Sequence, residues 1–110
     1  MSISALTSGL SALHSFQTAL DSTANNVANI DTPAYEPEKA NFQNEVNGGV
    51  SVAINTPNST PTAGADNTPS GTDYATEAIN SLQYQFGFDA SAQVVKAAEH
   101  NLGTLINLSA

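Results

Sequence analysis

From Ile3 to Val27 the large aliphatic residues recur at alternating spacings of three and four. With Ile3 as position a and Leu6 as d, the later seam positions are Leu10, Leu13, Gln17, Leu20, Ala24 and Val27, and six of these eight are large and apolar. A pattern held for four heptads belongs to a helix that packs lengthwise against other helices. Ala5, Ala12 and Ala19 flank the seam and allow close backbone approach. Thr32 precedes Pro33, which pushes it out of helical geometry, so the helix is predicted to run over about residues 3–30 and to stop near Asn29 to Asp31. At ~1.5 Å per residue it is about 40 Å long, which is long for a chain of 110 residues.

The C-terminal third repeats the theme. Thr72 or Asp73 caps a helix predicted near residues 73–107, with Glu77 in the first turn where the helix dipole favours an anion. Ile79, Leu82, Phe86, Ala90, Val94, Ala98, Leu102 and Leu105 stand roughly 3.7 residues apart, a stripe drifting toward a hendecad repeat. Tyr84, Phe88, Val95 and Ile106 lie off it, so the helix carries a second apolar face. One helical partner does not bury two faces, and exposed apolar surface of that kind marks a contact with other chains. Gly87, mid-helix at a cost of ~1 kcal/mol against Ala, points to close packing or a bend.

Between the helices lie all five prolines. "ANFQNEVNGGVSVAIN" reads as a hairpin near residues 40–55. A three-residue loop Asn47-Gly48-Gly49 sets Val46 opposite Val50, Asn44 opposite Val52 and Phe42 opposite Ile54, bringing apolar residues together. After Ile54, "NTPNSTPTAGADNTPSGT" reads as a flexible connector. The expected fold is therefore mainly α: two long N- and C-terminal helices in an antiparallel, coiled-coil-like pair, with a small hairpin and a flexible connector between them. The organisation is one domain over 1–110, divided at 1–31, 32–72 and 73–110.

Charge narrows the function classes. Ten acidic residues face two basic ones, Lys39 and Lys96, for a net charge of -8. Nucleic-acid binding needs clustered Lys and Arg, and so does adhesion to an anionic membrane surface. The chain has no Cys, which removes disulfides and thiol chemistry, and no apolar run of spanning length. No basic n-region precedes an apolar stretch, so no cleavable secretory signal is expected. His14 and His100 have no ligand partner at helical spacing, and no Ser occupies a Gly-x-Ser-x-Gly turn. Asp21, Asp31, Glu36 and Glu38 read as solvated charge. No cofactor, metal or small-molecule substrate is expected, and no enzyme activity.

The first helix ends in "ANNVANIDTPAY", residues 24–35, with an unusual density of side-chain amide. Asn is common at a fraying helix end, and by itself the cluster reads as a stop. The whole stretch "LTSGLSALHSFQTALDSTANNVANIDTPAY", however, resembles the N-terminal signature of the bacterial flagellar rod and hook axial proteins. The family pattern A-N-N-[IV]-A-N-x-[ND]-T-P-G-Y is matched through Ala24, Asn25, Asn26, Val27, Ala28, Asn29, Asp31, Thr32, Pro33 and Tyr35. Ala34 stands where the family has Gly. The C-terminal "QYQFGFDASAQVVKAAEHNLGTLINL" is similar to the family's last helix through Val94, Val95, Lys96, Ala98, Glu99, Leu102, Thr104, Leu105, Ile106 and Leu108. Phe86, Gly87 and Phe88 depart from the Arg, Ala and Tyr common there. In length the chain is nearest the proximal rod proteins.

The resemblance implies a structural subunit of the flagellar basal body rod, located in the periplasm. It implies export through the flagellar type III apparatus and polymerisation through the terminal helices. Partners are then other copies and other axial proteins, with Leu6, Leu10, Leu13, Leu20, Asn25, Asn26, Val27, Asn29, Val94, Leu102 and Leu105 at subunit contacts. The alternative is a non-polymerising exported adaptor, cap or regulator that reuses the same helices.

Overall fold

The computed structural model describes residues 2–57 and 67–109. They form, in order, α1 (Ser2–Ala28), β1 (Lys39–Asn44), β2 (Val50–Asn55) and α2 (Tyr74–Ser109). The central part of the expected connector, residues 58–66, lies outside the described residues.

The two helices run antiparallel. Gly9 faces Val95, Phe16 lies on Gly87, and Asn26 bonds Glu77. The molecule is correspondingly elongated, 70 × 24 × 16 Å. Asp73 caps α2 as expected: its Oδ1 accepts from the Ala75 amide at 3.1 Å and its Oδ2 from the Thr76 hydroxyl at 3.0 Å. Beyond the end of α1, Ala34 takes a left-handed φ of 60° and donates its amide to Thr68 O at 2.8 Å. Gly71 donates to Tyr35 O at 2.8 Å, so the returning chain is clipped to the same turn. The left-handed backbone explains why a Gly at position 34 suits this motif.

The faces by which the helices meet are not those expected. The inner face of α1 is Gly9, Ala12, Ser15, Phe16, Ala19, Ser22, Thr23 and Asn26, a heptad stripe of mostly small and polar residues. Ala19 and Ala98 are the buried apolar side chains among the described residues. The expected stripe of α2 also turns outward, with Ile79, Leu82, Phe86 and Leu105 exposed and only Ala98 buried. Of the off-stripe residues, Tyr84, Phe88 and Val95 are half-buried instead, and Ile106 is exposed. Small residues win the inner face because the helices approach too closely for Leu. A Cβ on Gly9 would stand 2.7 Å from Val95 Cγ2. At Gly87 the Phe16 ring fills the space of the missing side chain. That ring packs tilted against Phe42 with centroids 5.1 Å apart, and Phe42 against Tyr84 at 5.5 Å, which ties α1, β1 and α2 together.

The hairpin is present, but slipped by two residues. Asn44 pairs with Val50, Phe42 with Val52 and Ala40 with Ile54. The loop has three residues, and they are Val46-Asn47-Gly48: Glu45 N donates to Gly49 O at 3.0 Å and Gly48 N to Glu45 O at 3.1 Å. The third residue of such a loop sits in the left-handed region, and Gly48 occupies it at φ 80°. Gly49, at φ 121°, lies against α1, where a Cβ would meet Ser11 Oγ at 2.6 Å. These two glycine requirements set the register and leave Val46 fully exposed. An even slip keeps each strand's faces, so Phe42, Val52 and Ile54 still point inward.

Candidate functional site

The amide cluster at the end of α1 is the most heavily bonded part of the molecule. Asn26 is 2 % exposed. Its Nδ2 donates to Glu38 O and to Glu77 Oε1, both at 2.9 Å. Its Oδ1 accepts from the Tyr35 hydroxyl and from Glu38 N, both at 2.8 Å. An Asn side chain offers two donors and two acceptor sites, and all four are used. The amide thus reads the backbone of Glu38 as a neighbouring strand would, while holding the start of α2 through Glu77. Asn25, exposed, donates to the Tyr35 hydroxyl at 3.1 Å. Asn29 donates to Asn25 O at 2.9 Å and accepts from the Thr32 hydroxyl at 3.0 Å, closing the helix end. The family resemblance implies contacts with neighbouring subunits for all three amides. Asn26 is instead fully engaged within its own chain, because the turn folds back to bring Tyr35 and Glu38 over it.

Asn26 completes a polar stripe that the sequence reading missed. Ser15 Oγ donates to Val50 O at 2.8 Å, and Ser11 Oγ accepts from Val50 N at 3.1 Å. Ser22 Oγ donates to Glu38 Oε2 at 2.9 Å. Ser11, Ser15, Ser22 and Asn26 follow spacings of four, seven and four, a heptad face of hydrogen-bonding side chains that seats the hairpin. That spacing was the available signal.

The aliphatic residues assigned to contacts lie elsewhere. Leu10, 61 % exposed, Val94 and Leu105 stand out to solvent. Leu6, Leu13 and Leu102 are half-buried. Leu20 and Val27, also half-buried, line an open groove of about 790 Å³ with Ala24, Tyr74, Ala78 and Leu82. The structure therefore gathers Leu20 and Val27 with the first turns of α2, leaves Leu10, Val94 and Leu105 exposed, and partly covers Leu6, Leu13 and Leu102.

Electrostatically, the locked end is acidic. Burial raises the Tyr35 phenol above its ordinary value, and the Glu38 and Glu77 carboxylates raise it further against the lowering hydrogen bond from Asn25. Burial and then Glu77 raise Tyr84 in the same direction. Both hydroxyls stay protonated at neutral pH, and that of Tyr35 donates to Asn26. Among the described residues no group of three His, Cys, Asp or Glu is arranged to hold a metal ion, and no helix is long and apolar enough to cross a membrane.

Fold and surface together define an elongated antiparallel helical hairpin, locked by polar side chains, with large aliphatic residues such as Ile3, Leu10, Leu82 and Leu105 exposed. Residues 6–35 match the family model described as flagella basal body rod protein, so over that segment the chain is similar to that family. The matched segment runs from α1 to Tyr35, so it includes both partners of the Asn26–Tyr35 bond. A comparison with curated proteins gave no match.

Proposed function

We propose that this chain is a rod subunit that polymerises with copies of itself and with other axial proteins through the outward faces of α1 and α2. In this reading it reaches the periplasm through the flagellar type III export apparatus without a cleaved signal. Leu6, Leu10, Leu13, Leu20 and Val27 on α1, with Val94, Leu102 and Leu105 on α2, form the contacts, and Asn25 and Asn29 add polar ones at the helix end. The observation that carries the reading is an inversion: small and polar residues occupy the inner seam while Ile3, Leu10, Leu82, Phe86 and Leu105 are exposed. Burying apolar surface stabilises by about 25 cal/mol per Å², so such ridges favour coverage by neighbours. A tagged copy of the protein tests this. Electron microscopy of purified basal bodies is expected to show the tag at a fixed level of the rod. Tagged protein that is exported but absent from basal bodies would support the adaptor alternative instead.

A further inference from the structure

Two buried side-chain oxygens have no hydrogen-bond partner among the described residues, Thr72 Oγ1 and Glu77 Oε2. Glu77 is 5 % exposed; its Oε1 accepts from Asn26, while its Oε2 is buried without a partner. Glu77 lines a cavity of about 460 Å³ together with Glu38, Asp73, Asn80 and Tyr84. A buried carboxylate oxygen is costly unless it is hydrogen-bonded or ion-paired. The chain has little to offer it, with no Arg and only two Lys. Lys39 stands exposed on the cavity rim and makes no ion pair with Glu77 or Glu38. Lys96 lies beside Val95, which packs on Gly9, roughly 25 Å along the helix pair from Asn26. The same end carries Asp21, Asp31, Glu36, Glu38 and Asp73 besides Glu77.

We propose that the Glu77 cavity receives a basic side chain, a guanidinium, from a protein partner other than a second copy of this chain. A guanidinium presents a planar fork of N–H donors, which suits a carboxylate oxygen with free lone pairs and the neighbouring Glu38 and Asp73 carboxylates. A second copy is a poor source, because it has no Arg and a net charge of -8 that repels its like. The apolar ridges then join subunits side by side, and the acidic end selects a chemically different neighbour. This goes beyond the rod reading and is measured on the isolated full chain, so its failure leaves that reading untouched.

The probe is blocked arginine (N-acetyl-arginine methylamide), with the isosteric neutral blocked citrulline as control, followed by ¹H–¹⁵N NMR. Blocked arginine is expected to shift the Asn26 side-chain amide and the Glu77 backbone amide saturably. Citrulline binds on the order of ten-fold more weakly, the loss of one charge-assisted contact. Glu77→Gln, which keeps the Oε1 acceptor, is expected to lose the preference for arginine. Equal responses to the two probes, an undiminished arginine preference in Glu77→Gln, or no saturable response to arginine each overturn the proposal. Because Glu77→Gln also touches the lock, Asn80→Lys gives an independent readout by placing an ammonium one turn from Glu77 inside the cavity. With the parent's circular dichroism retained, Asn80→Lys is expected to abolish the arginine response; a response equal to the parent's overturns the proposal.

Discussion

The inner and outer faces of α1 are written in the same period and do opposite work. Inward, Gly9, Ala12, Ser15, Ala19, Ser22 and Asn26 bring the backbones of α1 and α2 together and hydrogen-bond the hairpin. Outward, Ile3 and Leu10 are exposed, while Leu6, Leu13, Leu20 and Val27 are partly covered. A compact monomer of 11.3 kDa exposes about 5,700 Å², and this chain exposes 7527 Å², a surplus of about 1,800 Å². That surplus is of the order of a whole standard protein interface. The difference teaches that a heptad stripe announces a contact without saying whether the contact lies inside the molecule or beyond it.

The largest expected effect separates the two faces outright. Leu10→Asp combined with Leu82→Asp changes only exposed positions. It is expected to abolish incorporation into the rod while shifting monomer stability by no more than about 1 kcal/mol, about 0.5 for each exposed position. Basal-body blots and urea unfolding of the purified protein read the two quantities. A variant that unfolds would show the outer ridge to be core after all.

Asn26→Ala probes the other side. It leaves Glu77 Oε1, the Glu38 backbone and the Tyr35 hydroxyl without their partner. Unsatisfied buried groups cost ~1–3 kcal/mol each, partly relieved by water at this end, so the monomer is expected to lose about 3 kcal/mol. Asn25→Ala, with only exposed bonds, is expected to cost less than about 1 kcal/mol. Equal losses from the two variants would contradict the lock.

Glycines sharpen the comparison at smaller scale. In Gly87→Ala the new methyl runs into the Phe16 ring, and the strain of ~1–3 kcal/mol exceeds the gain of ~1 kcal/mol in helix propensity. Gly103 in the same helix has nothing within 4 Å of its would-be Cβ, so Gly103→Ala is expected to stabilise by up to ~1 kcal/mol. Thermal unfolding of the pair tests the sign. The smallest change is Ala34→Gly, which relieves a left-handed φ of 60° and is expected to add about 0.5–1 kcal/mol, read by the same melts.

The elements that depend on local chemistry were legible from the residues alone. Pro33 after Thr32 stops α1, which ends at Ala28, and Asp73 caps α2. Alternating Val50, Val52 and Ile54 beside a glycine pair make a hairpin of the expected loop length. These follow from dihedral preference and hydrogen bonds a few residues apart. Which stripe of α1 turns inward did not follow, and neither did the hairpin register nor the partners of Asn26. Those were decided when the hairpin was laid along α1. It brought Val50 N and O and Glu38 N and O to the helix surface, and buried backbone groups demand polar partners. Ser and Asn satisfy them where Leu has nothing to offer, so the polar stripe went inside and the aliphatic seam was turned aside, with Ile3 and Leu10 exposed.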